Sequence, residues 1–211
     1  MVEQDLAFAS YIPYYFKKWI EQIDTNVLPL VSKRIINNTC KILNFNYTDT
    51  LERAYKVPAE NILYIHGKAL SSKKLVVGHH DISTFQYGAV SPFNAAEEHG
   101  IYIQDDDEDF RITETKEIIK AYFQKTYKDT FGIIQMNQNF FDSLININEI
   151  FILGHSLSSV DMDYFVEIRK RVLHSCKWYI SYFSESDLDN MEYFAKRLDI
   201  KNFQPVMLSN L

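Results

Sequence analysis

Most of the chain alternates between short, almost continuous apolar runs and longer stretches with helical periodicity. The runs with strand character are residues 41–47, 61–67, 74–80, 149–155, 177–183 and, more weakly, 202–208. The helical stretches are residues 11–23, 29–38, 48–55, 114–131, 158–173 and 184–198. Apolar strands that alternate with helices need cover on both faces. The pattern therefore predicts an α/β fold with a Rossmann-like, mostly parallel sheet flanked by helices.

The domain organisation predicted from this pattern has two parts. Residues 1–40 form a helical N-terminal segment, in which Pro13 fits the first turn of the helix. Residues 41–211 form the Rossmann-like domain, with an irregular insertion at about 81–148. The end of that insertion, residues 133–147, either continues the preceding helix or forms a second one.

The starts of three predicted helices carry the spacing of a capping box. The pairs are Asp49 and Glu52, Ser158 and Asp161, and Ser184 and Asp187. The segment from Gly154 to Ser158 lacks the last glycine of a GxSxG nucleophile elbow. A capping role for its serines is therefore favoured over a serine hydrolase.

Composition and charge exclude several classes of protein. The net charge of −6 argues against binding nucleic acid through a broad basic surface. No run approaches ~20 apolar residues, so no membrane span is expected. Glu3 and Asp5 stand where a signal peptide needs positive charge. We therefore expect a cytoplasmic protein.

The ends of the predicted strands hold the candidate functional residues, because ligands of parallel sheets bind beyond the carboxyl ends of the strands. Glycine next to histidine recurs there, and it combines a tight chain exit with a group that titrates near neutral pH. The segments are residues 44–49, 65–67, 77–80 and 153–157. From the residues alone, Asn46 is either a turn residue or a ligand-binding amide. His66 is either a buried structural histidine or a base.

Five segments in order carry a resemblance to a known family. They are NFNYTDTLERAY (44–55), IHG (65–67), VVGHH (76–80), IFILGHSLSSVDMDYF (150–165) and SYFSESDLDN (181–190). Over about residues 40–211 the chain resembles the AbiH family of phage abortive-infection proteins. The AbiH pattern is itself similar to sirtuin-like (SIR2-like) domains, several of which destroy NAD in phage defence.

The resemblance implies a nucleotide pocket with NAD as substrate. No HExxH or comparable metal-ligand spacing appears in the sequence, so no metal is expected. Asn46 would orient the ligand or a water, and His66, which is expected beside it at one edge of a single sheet, would be the general base. The other residues that would bind the nucleotide are Asn44, Tyr47, Thr48, Gly67, Gly154, His155, Ser156 and Asp161. Thr48 occupies the position at which the sirtuin-like pattern has an acid.

The front of the chain departs from the family pattern. AbiH proteins usually begin with a strand and a Gly-Asn-Gly-Phe-Asp loop that would hold phosphate. Here the first glycine is Gly67. We therefore expect a fold that lacks the first strand and the phosphate loop, either because the chain is a fragment or because the element was lost.

Two rival functions remain open at this level. One is a non-catalytic sensor that binds a nucleotide or a protein, with a phage trigger protein or a homo-oligomer as partners. The other is a metal-dependent nuclease that uses Asp161, Asp163 or the acidic run 105–109. The nuclease is disfavoured because the two aspartates, two positions apart on a helix, face different directions.

Overall fold

The computed structural model describes residues 2–29, 31–32, 34–78 and 127–210. In chain order its helices and strands are α1 (Val2–Ile20), β1 (Ile42–Asn44), α2 (Thr50–Arg53), β2 (Ile62–Tyr64), α3 (Thr130–Met136), α4 (Gln138–Asp142), β3 (Glu149–Ile152), α5 (Met162–Arg171), β4 (Lys177–Tyr182), α6 (Ser186–Arg197) and β5 (Phe203–Met207). Single 3₁₀ turns are formed by Ala59–Asn61, Ser159–Asp161 and Leu208–Asn210.

The chain divides into two compact units. One consists of Met1–Phe16 and Val77–Lys128, and the other of Lys17–Val76 and Asp129–Leu211. Of the described elements, strands β1 to β5 and helices α2 to α6 belong to the second unit. The domain boundaries predicted from the sequence stay predictions.

Every strand pairing in the described residues is parallel, as the alternating pattern predicts. β1 pairs with β2, and β3, β4 and β5 form a sheet in that order. The helix-flanked parallel α/β class is therefore confirmed, but the hydrogen bonding gives two sheets where one was expected. β1 ends early because the side-chain oxygen of Asn44 accepts the backbone N–H of Asn46 at 3.0 Å and turns the chain.

The core lies around the βαβαβ unit that runs from β3 to β5. Trp178 and Ile180 of β4, Tyr164 of α5 and Phe194 of α6 are each at most 2% exposed. Ile65, which follows β2, belongs to the same cluster of buried side chains. One continuous apolar core therefore fixes the strand ends of both sheets.

The helix predicted for residues 29–38 is wrong for the described part of that range. The hydroxyl of Ser32 accepts the N–H of Arg34, and the side-chain oxygen of Asn37 accepts the N–H of Thr39. Such local bonds occupy backbone donors that a helix would need. The segment forms successive turns instead.

The strand predicted for residues 74–80 is also wrong where the structure describes it, at 74–78. The N–H of Val76 donates to the carbonyl of His66 at 2.8 Å, and Val76 accepts a bond from the Tyr47 hydroxyl. These isolated bonds hold the segment beside the end of β2 without a ladder. His79 and His80 lie outside the described residues.

The N-terminal and middle helices differ from their predicted bounds. α1 begins at Val2, so Pro13 lies inside the helix rather than in its first turn. The helix predicted for 114–131 falls mostly outside the described residues, as does the acidic run 105–109. α3 starts at Thr130 because the Asp129 carboxylate accepts the N–H of Gly132. No helix in the described ranges is long and apolar enough to cross a membrane.

The three predicted capping boxes do not form as such. Asp49 makes no capping bond to α2, which has only four residues. Ser158 accepts the N–H of Val160, but it caps the 3₁₀ turn ahead of α5. The Asp187 carboxylate does accept the N–H of Ser184. Asp49 and Asp161 instead contact residues that are distant in sequence, Thr25 and His66 respectively.

Candidate functional site

The carboxyl ends of β2 and β3 bring two histidines to one carboxylate. Nε2 of His66 lies 3.3 Å from Oδ1 of Asp161, and Nε2 of His155 lies 3.4 Å from Oδ2. The three side chains are only 6%, 11% and 15% exposed for His66, His155 and Asp161. We call these three residues the histidine–aspartate cluster.

Residues next to His66 and His155 have positive φ angles, which turn the chain sharply at the ends of β2 and β3. Gly67 (φ 88°) and Gly154 (φ 61°) adopt left-handed conformations that favour glycine. Leu157 has φ 56° without being glycine. For a residue other than glycine, such a conformation costs about 1–3 kcal/mol, and residues of this kind concentrate at functional sites.

Aromatic rings hold the two imidazoles in place. The Phe45 ring, at the exit of β1, lies 5.6 Å from His66 and 4.5 Å from His155, edge-on in both cases. Phe165 of α5 lies 5.0 Å from His155 and stacks on Phe45. The ends of β1, β2 and β3 therefore meet at this point, although β1 and β2 belong to a different sheet from β3.

The hydrogen bonds of the Nδ1 atoms set opposite tautomers for the two histidines. Nδ1 of His66 lies 3.3 Å from the carbonyl oxygen of Phe45, which can only accept, so this nitrogen carries a proton. Nδ1 of His155 accepts the N–H of Leu157 at 2.9 Å, so its proton is on Nε2. His155 therefore presents an N–H to Asp161.

The remaining nitrogen of His66 is the unusual atom of the cluster. Its distance to Asp161 is that of an ion pair, but Nε2 makes no hydrogen bond within the described chain and is a buried polar atom without a partner there. Leaving a buried polar group unsatisfied costs about 1–3 kcal/mol. A nitrogen of this kind beside a carboxylate can exchange a proton with a ligand.

The negative charge of Asp161 extends over its neighbours. Burial first, and then the charge of Asp161, raises the pKa of the Tyr47 hydroxyl above its usual value. The same two causes raise the pKa of Tyr164, with help from Asp163. Both phenols therefore stay neutral, and the cluster is a region of negative potential.

The nucleotide-binding residues predicted at the exit of β1 do not all lie at the histidine–aspartate cluster. Tyr47 lies near the cluster, with its ring 6.1 Å from the His66 ring. Asn44 is buried at the strand end, and Thr48 shares a hydrogen bond with Thr50. Asn46 is exposed, and among the described residues its side chain makes no hydrogen bond. His66 is thus paired with Asp161 rather than with Asn46.

A cavity of about 270 Å³ lies beyond the carboxyl ends of β3 and β4. His155 belongs both to its wall and to the cluster. Three predicted nucleotide-binding residues line the cavity: Gly154, His155 and Ser156. Three residues after β4 that were not predicted from the sequence line it as well: Phe183, Asp187 and Asn190. The Ser-x-x-Asp spacing at 184–187 was interpreted only as a helix cap.

The two aspartates of the rival nuclease hypothesis, Asp161 and Asp163, make different side-chain contacts. Asp161 contacts the histidines, whereas Asp163 accepts a hydrogen bond from Thr130. Within the described residues, no three His, Cys, Asp or Glu side chains are grouped so as to hold a metal ion.

A comparison with known protein families identifies the family of this chain. The family described as "Bacteriophage abortive infection AbiH" matches residues 3–182. The chain belongs to the AbiH family. The AbiH match contains the whole histidine–aspartate cluster and assigns the chain to abortive-infection defence against phages.

The extent of the AbiH match corrects the sequence-based estimate. It begins at residue 3 rather than about 40, so α1 is part of the AbiH region, and it ends at residue 182, before α6. No curated protein and no solved structure matches the chain. The likeness of the AbiH chain to sirtuin-like domains stays a prediction.

Proposed function

We propose that this AbiH protein binds NAD beyond the carboxyl ends of β2 to β4 and hydrolyses the bond between nicotinamide and ribose. The observation that carries the proposal is Nε2 of His66. It is buried, it lacks a hydrogen-bond partner in the described residues, and it lies 3.3 Å from the Asp161 carboxylate. A buried polar atom without a partner is rare in native structures, and a catalytic role is one explanation of it.

The charge of the cluster suits this reaction. As the glycosidic bond breaks, its electron pair passes to the pyridinium nitrogen of nicotinamide, and positive charge develops on the ribose. The Asp161 carboxylate, which faces the Nε2–H of His155, supplies negative charge next to that centre. Charge fixed in advance stabilises a transition state without reorganisation.

His66 supplies the proton acceptor. Water forms the new bond to the anomeric carbon, and the proton it loses passes to Nε2 of His66. A general base in this position contributes ~10²–10⁴-fold to the rate. His155 presents its Nε2–H to Asp161 at 3.4 Å and thereby orients the carboxylate, and the same histidine lines the cavity.

The test is nicotinamide release by the full chain incubated with NAD, followed by chromatography. His66→Gln is expected to lower the rate by 10²–10⁴-fold, in line with the loss of a general base. His174→Gln is the matched control, because His174 is exposed and contacts Arg169 rather than the cluster. Release equal in all three proteins, or no release by the wild-type chain in extracts of phage-infected cells, would overturn the proposal.

A binding role without catalysis is the second candidate. The observation in its favour is the burial of His66, whose Nδ1 is held by the Phe45 carbonyl, as in a structural histidine. Phage plating on cells that carry His66→Gln separates the two. Protection that survives the substitution supports the binding role, and protection lost together with nicotinamide release supports hydrolysis.

A further inference from the structure

We infer that the cavity beyond β3 and β4 is a nucleoside subsite, in which the base stacks on Phe183 and the ribose diol donates hydrogen bonds to Asp187. The inference rests on the proposed function, because it assigns the adenosine half of NAD to this cavity. The other half would then extend past His155 to the cluster. The sequence did not place Phe183 or Asp187 among the nucleotide-binding residues.

The size and place of the cavity suit half of a dinucleotide. Pockets for whole drug-sized ligands span about 300–1,000 Å³. This cavity, at about 270 Å³, is just below that range. It lies at the carboxyl ends of two adjacent parallel strands, which is where nucleotides bind open α/β sheets.

Phe183 provides an aromatic face at the mouth of the cavity. It follows directly after β4, lines the cavity and is 88% exposed. Any base can stack on such a ring, because every base has a π-face. Tyr193 of α6 is exposed as well, at 63%, but does not line the cavity.

Asp187 is held in a way that leaves one oxygen for a ligand. Its Oδ2 accepts the N–H groups of Phe183 and Ser184, both at 3.0 Å. Its Oδ1 makes no hydrogen bond within the described part of the chain. The backbone bonds from Ser184 and Phe183 lower the pKa of this carboxyl, so it is ionised at neutral pH.

The charge of the lining favours hydroxyl donors over phosphate. An ionised carboxylate repels phosphate and accepts bonds from a diol. The described residues that line the cavity include no lysine or arginine to offset it. Asn190, one turn further along α6, adds an amide that can donate or accept.

The experiment measures binding of adenosine to the full chain by titration calorimetry. Phe183→Ala and Asp187→Asn are each expected to weaken binding about tenfold or more. Asparagine keeps an oxygen for the backbone N–H groups, so the loop is retained. The matched controls are Tyr193→Ala and Asp189→Asn, which change the same helix outside the cavity and should bind adenosine as the wild type does.

A second probe isolates the diol. 2′,3′-Dideoxyadenosine should bind the wild-type chain about tenfold more weakly than adenosine does, and Asp187→Asn should not weaken it further. Thermal unfolding of each variant shows that it is folded. Wild-type affinity for adenosine in both Phe183→Ala and Asp187→Asn, or no adenosine binding by the wild type, would overturn the inference.

The outcomes separate this inference from the proposed reaction. Adenosine should still bind to His66→Gln, because His66 does not line the cavity. Adenosine binding that depends on Phe183 and Asp187 without nicotinamide release supports the subsite and contradicts the hydrolysis. Nicotinamide release that is unchanged by both substitutions supports the hydrolysis and contradicts the subsite.

Discussion

His66 and His155 face the same carboxylate through the same ring nitrogen, Nε2, although they follow different strands. Their Nδ1 atoms are bound oppositely, by the Phe45 carbonyl in one case and by the Leu157 N–H in the other. The two imidazoles therefore offer Asp161 different groups. His155 presents an N–H to the carboxylate, whereas neutral His66 presents a lone pair, with which a carboxylate makes no hydrogen bond.

This relationship predicts opposite tautomers in solution. Neutral His66 should carry its proton on Nδ1, and neutral His155 on Nε2. Nitrogen-15 NMR of the full chain at about pH 8.5, where imidazoles are normally neutral, measures both directly. The same tautomer at both positions would contradict the hydrogen-bond assignment. The measurement uses the wild-type chain with selectively labelled histidine, so no substitution disturbs the backbone at Leu157.

The two left-handed glycines should differ in their tolerance of alanine. A Cβ at residue 154 meets nothing within 4 Å, so Gly154→Ala should cost only the backbone term of about 1–2 kcal/mol. A Cβ at residue 67 comes within 3.3 Å of the Lys74 carbonyl and of the Leu75 side chain. Gly67→Ala should therefore reduce the free energy of unfolding by more. Urea denaturation of both variants measures the two losses in unfolding free energy. A loss in Gly154→Ala that equals or exceeds the loss in Gly67→Ala would contradict the prediction.

Asp49 should contribute to acid sensitivity. Burial acts to raise the pKa of its carboxyl, but hydrogen bonds from Thr25 and Arg53 and the charges of Arg53 and Lys68 outweigh it and lower the pKa. A carboxyl whose pKa is lower in the folded state stabilises the protein above its unfolded pKa of about 3.9. That stability is lost as the pH falls through the folded pKa.

Comparison of the wild type with Asp49→Asn measures this contribution. The difference in unfolding free energy should be largest at neutral pH and should narrow as the pH falls below about 4. Urea denaturation at a series of pH values gives the two curves. A difference that is constant with pH would show that the carboxylate form has no preferred contact with Thr25 and Arg53.

The part of the fold predicted best is the unit from β3 to β5. Its strands are apolar runs, and its helices have a strong period, so local sequence and long-range packing agree. β4 was predicted at 177–183 and spans Lys177–Tyr182, and α6 was predicted at 184–198 and spans Ser186–Arg197. The errors are confined to the ends, where capping residues have other partners.

The segments predicted wrongly are those in which specific hydrogen bonds outweigh the apolar pattern. Residues 29–38 have helical spacing, but Ser32 and Asn37 bind nearby backbone groups. Residues 74–78 have strand composition, but Val76 bonds to His66 outside a ladder. Periodicity reports which side of a segment is apolar, and it does not report such individual bonds.

The candidate site was predicted in its members but not in its arrangement. His66, His155 and Asp161 were each named from motifs, yet the placement of Asp161 between the two rings depends on how strand ends from two sheets meet. Asn46 was expected beside His66. Its neighbours Phe45 and Tyr47 lie against the imidazole instead, and Asn46 is exposed. Adjacency in sequence fixes a position and does not fix a side-chain direction.

The last prediction concerns the core that holds the cavity-lining helix α6. Phe194 is fully buried, with its ring 5.1 Å from Phe165 and 6.5 Å from Trp178. Phe194→Ala removes a buried aromatic side chain and should lower the free energy of unfolding by about 3–5 kcal/mol. Tyr193→Ala, at the preceding and exposed position, should change it by no more than about 0.5 kcal/mol. Chemical denaturation of both variants measures the pair, and similar losses would contradict the packing of α6 against β4.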